Sequence, residues 1–153
     1  MDKWKLRFLK EAKTRATWSK DPSRKIGAVA VKDRDPIAYG FNGFPRGIED
    51  SEERLNDREL KYKYVVHAEQ NMIYNACRQG KSLLDADVYV YGLPVCSECA
   101  KGLIQAGVKS VTCLVEQEIT EPWLSSWKRT CEMFDEVGLK YELTYESNYS
   151  GWA

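Results

Sequence analysis

The sequence predicts an α/β protein in three layers, a mixed five-stranded sheet with helices on both faces. Two observations predict it. Short, apolar, β-branched runs alternate with stretches of helical periodicity along most of the chain. The first two runs are adjacent and joined by a tight polar turn, so at least one strand pair is antiparallel. At 153 residues, with 43% hydrophobic and 30% charged content, one domain over residues 1–153 with a substantial core is expected. No internal repeat or low-complexity segment interrupts it.

Trp4, Phe8, Ala12 and Ala16 recur every four residues, with Leu9 beside them, which predicts an amphipathic first helix. It should end near Trp18-Ser19, because the residue before Pro22 is pushed out of helical geometry. Ile26 to Val31 reads as a strand, Lys32-Asp33-Arg34-Asp35 as its turn and Pro36 to Phe41 as the return strand. Asn42 to Gly47 has turn chemistry, and the charged stretch from Glu49 to Lys63 reads as a long polar excursion with about one helical turn, covering the site. A helix is expected from near His67 to about Arg78, stopping at Gly80. Asp87 to Gly92 alternates Val88/Val90 with Tyr89/Tyr91 as a strand does. A helix from Ser97 or Glu98 to Gly107, a strand over Val111 to Val115, a helix through Trp123, Trp127, Cys131 and Phe134, and a last strand from Leu139 to Tyr145 complete the order.

Charge is balanced, 23 basic against 23 acidic residues, which disfavours a protein built to grip a long polyanion. A single bound phosphate needs only a local pocket and stays open. Five cysteines are an odd number, and two of them sit in C-x-x-C, so a disulfide framework is not expected. The start, Met1-Asp2-Lys3-Trp4, has no apolar signal core, and no apolar run approaches bilayer length. A reducing cytoplasmic setting is the expectation, with no membrane partner.

The chain has one histidine, and it stands in Val65-Val66-His67-Ala68-Glu69, upstream of Cys96-Ser97-Glu98-Cys99. One imidazole and two thiolates are three zinc ligands, leaving the fourth tetrahedral position open as a catalytic zinc requires. His67 and Cys99 should fall in the first turns of helices and Cys96 just before one, where unpaired N–H groups favour thiolate. Between His67 and Cys96 there is room for one helix and one strand, enough to bring two helix starts together. A redox-active C-x-x-C or a structural zinc is the plainer alternative. The latter wants a fourth ligand, yet Cys77, Cys113 and Cys131 each fall on an apolar face of an expected element, where small buried cysteines are common.

H-x-E followed by C-x-x-C is the pattern of zinc deaminases, in which the metal activates water and the glutamate moves protons. Further stretches extend the likeness: Trp18-Ser19-Lys20-Asp21-Pro22-Ser23, Ile26-Gly27-Ala28-Val29, and Gly40 through Gly47. Tyr64 to Asn71, Cys96 to Lys101 and Ile104-Gln105-Ala106-Gly107 continue it. On these residues the chain, from about residue 4 to 145, resembles the cytidine/deoxycytidylate deaminase family, and within it the deoxycytidylate (dCMP) branch. There is one departure: Val95 stands where the family usually has proline directly before the first cysteine, and Pro94 is one place earlier.

The resemblance implies a cytidine-deaminase-like fold, with Zn²⁺ held by His67, Cys96 and Cys99. It implies that Glu69 takes a proton from water, delivers one to the pyrimidine N3 and helps the amine depart, so that dCMP becomes dUMP. It implies that Asn42 contacts the sugar 3′-hydroxyl and the Ala68 backbone N–H the pyrimidine carbonyl. Asn42 also simply suits the start of a turn. For the 5′-phosphate, Lys20, Ser23, Arg24 and Lys25 form a compact basic, hydroxyl-bearing loop able to make charge-assisted bonds, or equally a solvated charged turn. Arg46 is open to a substrate or an effector role. Trp123, Trp127 and Trp152 are expected to pack core or subunit surfaces. Family likeness further implies a homo-oligomer, often a hexamer, with dCTP and dTTP as effectors. Three rivals remain at this point: a tRNA- or single-stranded-DNA-editing deaminase, a deaminase of another small base or nucleotide, and a non-catalytic zinc module.

Overall fold

The computed structural model describes residues 2–149. Helix α1 (Lys3–Ala16) starts where the Asp2 carboxylate accepts the backbone N–H groups of Trp4 and Lys5, at 2.8 and 3.0 Å. Those donors have no partner within the helix, so the cap stabilises its first turn by about 1 kcal/mol. Phe8, Leu9, Ala12 and Ala16 form the buried stripe that the sequence spacing anticipates. Strand β1 (Gly27–Lys32) turns through Asp33 and Arg34 into β2 (Asp35–Phe41). Both turn residues have positive φ, 50° and 66°, the two-residue hairpin geometry whose twist matches its strands. Pro36 is tolerated because β2 is an edge strand and the register shifts beside it.

Then follow α2 (Glu52–Asn56), α3 (Arg58–Tyr64), α4 (Ala68–Arg78), β3 (Asp87–Gly92), α5 (Ser97–Gln105), β4 (Ser110–Val115), α6 (Trp123–Val137) and β5 (Lys140–Tyr145). The sheet order is β2-β1-β3-β4-β5. β1 runs antiparallel to β2 and to β3, whereas β4 is parallel to β3 and to β5. The mixed five-stranded sheet is therefore observed as expected.

Alternation along the strands builds two cores. Val29, Val31, Tyr89 and Tyr91 face Phe8 and Leu9 of α1. Ala28, Ala30, Val88 and Val90 face the other way, into the cluster made with Met72 of α4, Leu103 of α5 and Phe134 of α6. One helix on one face and three on the other make the three layers. Each large apolar side chain buried this way contributes roughly 1.5–3 kcal/mol. Gly40 sets the spacing of the second layer. A Cβ there would lie 2.2 Å from the Ala68 carbonyl oxygen and 2.4 Å from the Met72 nitrogen, so only glycine lets α4 sit this close to β2.

The structure revises several expectations. The charged stretch after Gly47 is more ordered than one helical turn: Ser51 caps α2, and Asp57 caps α3 through Leu60. His67 is the N-cap of α4 rather than a residue inside its first turn. Cys77 is exposed, not on the apolar face of α4, whereas Cys113 is buried and Cys131 half-buried. Trp152 lies outside the described residues. No helix among the described residues is long and apolar enough to cross a membrane.

Candidate active site

The site collects at the carboxyl ends of β2 and β3, beside the starts of α4 and α5, the usual place for ligands in open α/β sheets. His67 is the N-cap of α4 and Cys96 the N-cap of α5. Cys99, one turn into α5, is fully buried. His67 Nδ1 lies 3.4 Å from Cys96 Sγ and 3.4 Å from Cys99 Sγ. Zn–N near 2.0–2.1 Å and Zn–S near 2.3 Å at a tetrahedral angle require N···S of about 3.6 Å. The three ligand atoms, all within 4.8 Å of one another, thus fit one zinc ion. Among the described residues no fourth side chain joins them, which leaves a coordination position open.

Neighbouring elements hold the triad. The Ser97 N–H donates to Ser126 Oγ at 2.9 Å, and Thr130 Oγ1 donates to the Val95 carbonyl at 2.9 Å. Helix α6 thereby fixes the turn that leads into Cys96. Val95 itself is fully buried and packs into the larger core cluster.

Electrostatics divide the two thiols. Cys96 is held down at about 4, first by the hydrogen bond from the Cys99 thiol and then by His67 and the Cys99 N–H. Cys99 is pushed up, first because its proton is shared with Cys96 and then by burial. Hydrogen bonding to Cys96 raises His67. Burial pushes the Glu69 carboxyl up to about 7, with the Cys96 charge adding to the effect. No other side chain among the described residues hydrogen-bonds Glu69, so its carboxyl is free for a ligand.

One cavity of about 180 Å³ contains His67, Glu69 and Cys96, together with Ala68, Asn42, Ser23, Arg24, Arg58, Lys61, Tyr62 and Trp123. Of the expected contacts, Asn42, Ala68, Ser23 and Arg24 are brought together here. Asn42 clamps the loop before β1: its Oδ1 accepts the Ile26 N–H at 2.9 Å and its amide donates to the Arg24 carbonyl at 2.8 Å. Lys20 is not brought in. It pairs with Asp50 at 3.0 Å and lines a neighbouring cavity of about 320 Å³ with Arg46. Arg46 reaches Asn75 Oδ1 at 2.5 Å. Lys25 lines a larger adjoining cleft of about 620 Å³.

These features coincide with a match to the family model of the cytidine and deoxycytidylate deaminase zinc-binding region over residues 2–115. The chain belongs to this family. A protein of Aliivibrio fischeri named "Uncharacterized deaminase in luxG 3'region" is 38% identical over 144 residues, covering 92% of each chain. A "Probable deoxycytidylate deaminase" of Caenorhabditis elegans is 37% identical over 140 residues, covering 89% of this chain and 67% of the relative. The dCMP deaminase of cyanophage S-TIM5, solved in complex with dCMP and dUMP, shares the fold with a TM-score of 0.72. That match is 26% identical and covers 94% of this chain and 98% of the other. The protein is thus a zinc-dependent deaminase with its metal triad at His67, Cys96 and Cys99.

Three side chains of this deaminase's cavity escaped sequence reasoning. Arg58, Lys61 and Tyr62 come from α3, in the charged stretch expected to cover the site, where a run of charges singles out no one side chain. Trp123 was expected to pack core or subunit surfaces. It is half-buried at the start of α6 and lines the cavity, with the Arg24 guanidinium 4.8 Å from its ring centroid. The aromatic stripe in α6 is real, but its first member sits at the helix end, beyond the core that Trp127 and Phe134 fill.

Proposed function

We propose that this chain is a dCMP deaminase, acting as a single catalytic domain to convert dCMP and water into dUMP and ammonia. One observation carries the reading: the cavity lined by His67, Cys96 and Glu69 is also lined by Ser23 and Arg24. A hydroxyl and a fixed cation suit a phosphate monoester. The A. fischeri relative bears no assigned substrate, whereas the C. elegans relative and the cyanophage structure carry the deoxycytidylate name. Balanced net charge supports a free nucleotide over a polynucleotide, whose binding calls for a basic channel.

Bound zinc supplies Lewis acidity that makes water nucleophilic at neutral pH. Glu69, the proposed catalytic residue, takes a proton from the attacking water and delivers one to the ring N3. It then takes the remaining proton of the hydroxyl added at C4 and passes it to the departing amine, as the C4–N bond breaks and the C4 carbonyl forms. A carboxyl pushed up to about 7 is matched to giving and taking protons near neutral pH. The Ala68 N–H, at the first turn of α4, faces a substrate with a donor that the helix leaves unused, here the pyrimidine carbonyl. Asn42 offers the sugar 3′-hydroxyl a contact while it holds its loop. A cytoplasmic homo-oligomer responsive to dCTP and dTTP is part of the same proposal, and light scattering with each nucleotide tests it.

The direct test is turnover of dCMP, CMP, deoxycytidine, cytosine and guanine by the purified zinc enzyme. dCMP should lead the others in kcat/KM by tenfold or more. Preference for an unphosphorylated base or nucleoside would overturn the reading.

A further inference from the structure

One buried cation has more donors than partners. Lys61 on α3 is 4% exposed, and its ammonium meets one acceptor among the described residues, Asp21 Oδ1 at 3.2 Å. Its other contact is the Tyr62 ring, 5.6 Å from the centroid. An ammonium has three N–H donors, and a buried donor without an acceptor is costly. Lys61 lines the same cavity as Glu69, Ser23 and Arg24, so that cavity is where acceptors for its remaining donors can enter.

Asp21 fixes the ammonium beside the loop at issue. Its Oδ1 also accepts the backbone N–H groups of Ser23 and Arg24, at 2.8 and 3.1 Å. One carboxylate oxygen, 7% exposed at the residue level, thus ties α3 to the segment that carries the two proposed phosphate contacts. Such a tether orients both sides of a binding pocket before the ligand arrives.

Building on the nucleotide reading above, we propose that Lys61 is a substrate-binding residue whose spare N–H groups donate to the phosphoryl oxygens of a nucleoside 5′-monophosphate, alongside Ser23 and Arg24. The site then opposes a dianion with two cations, one of them held by a buried carboxylate. Preference for the 5′-phosphorylated substrate depends on both.

The test compares zinc-loaded wild type, Lys61→Met, Lys61→Arg and the double variant Lys61→Met/Asp21→Asn on dCMP and deoxycytidine. Lys61→Met should lower kcat/KM for dCMP by roughly tenfold to a hundredfold, the loss of a charge-assisted contact. Its loss on deoxycytidine should be several-fold smaller, and Lys61→Arg should recover part of the preference. Calorimetry should show dUMP binding weakened by a similar factor while deoxyuridine binding changes little. The double variant guards against misfolding, because it removes the carboxylate left unpaired in the single variant. A lost preference that persists there with an unchanged urea midpoint supports the assignment. Equal losses on both substrates, or an undiminished preference for dCMP in Lys61→Met, would overturn it while leaving the dCMP reading intact. Equal turnover of both substrates by the wild type would overturn the nucleotide reading and this assignment with it.

Discussion

Replacing Gly40 with alanine tests how closely the sheet and α4, the helix that carries Glu69, are coupled. The new Cβ would stand 2.2 Å from the Ala68 carbonyl oxygen, 2.4 Å from the Met72 nitrogen and 3.0 Å from the Met72 Cα. Ordinary carbon–oxygen contact needs about 3.4 Å, so the backbone of α4 or β2 must give by roughly 1 Å, since no rotamer change relieves a backbone clash. Overpacking on this scale costs about 1–3 kcal/mol. The displaced segment lies between His67 and Glu69, where a 1 Å misplacement costs on the order of a hundredfold in rate. Urea denaturation, zinc content and ammonia release from dCMP should report all three losses in one variant. Gly102→Ala is the contrast, because the new methyl meets only the tip of Ile73 at 3.3 Å and alanine suits a helix interior. Its stability should change by under about 1 kcal/mol. A Gly40→Ala protein with wild-type stability and rate would refute the coupling.

Glu69→Gln should retain zinc and dUMP binding but lose turnover by several orders of magnitude, because only the proton carrier is removed. The same variant has a stability signature in the metal-free protein. Burial raises the Glu69 carboxyl from 4.5 to about 7, so the folded state holds this proton more tightly than the unfolded one. The Glu69 contribution to stability is therefore fully present below about pH 4.5 and is lost as pH rises to about 7, by roughly 3 kcal/mol in all. The glutamine variant should be the more stable protein at pH 8 and lose that advantage at pH 4; an equal urea midpoint at pH 8 would mean the carboxyl is not buried. Arg24→Ala should cost roughly tenfold to a hundredfold on dCMP, whereas Lys20→Ala, in the neighbouring cavity with Asp50, should change the rate less than twofold. Zinc uptake should release protons, since Cys99 and His67 are raised in the metal-free site and ligands must shed their protons. Calorimetry in buffers of different ionisation enthalpy should give about one proton or more per ion, with affinity falling as pH falls. A heat that is independent of buffer would contradict this.

Much of this molecule is legible in the order of its residues because the deciding interactions are local. The α1 stripe is written in the spacing of Phe8, Ala12 and Ala16, and the two faces of β3 in the alternation of Val and Tyr. The zinc triad is readable because C-x-x-C at a helix start brings two sulfurs together by local geometry, and a lone histidine leaves no choice of third ligand. What escaped depends on partners distant in the chain. Lys61 looks solvated among Arg58, Glu59 and Lys63, and it is buried only because Asp21, forty residues away in sequence, meets its charge. Lys20 and Arg24 belong to one basic loop, yet Asp21 lies between them and pins the backbone N–H of Arg24. The two side chains consequently serve different cavities, which no count of charges reveals.

Zinc dependence of dUMP formation tests the central claim most directly. Purified protein should release dUMP and ammonia from dCMP one for one, lose that activity when a chelator strips the metal, and recover it at about one added Zn²⁺ per chain. Turnover that survives complete removal of zinc, or a fully zinc-loaded protein that leaves dCMP intact, would contradict it.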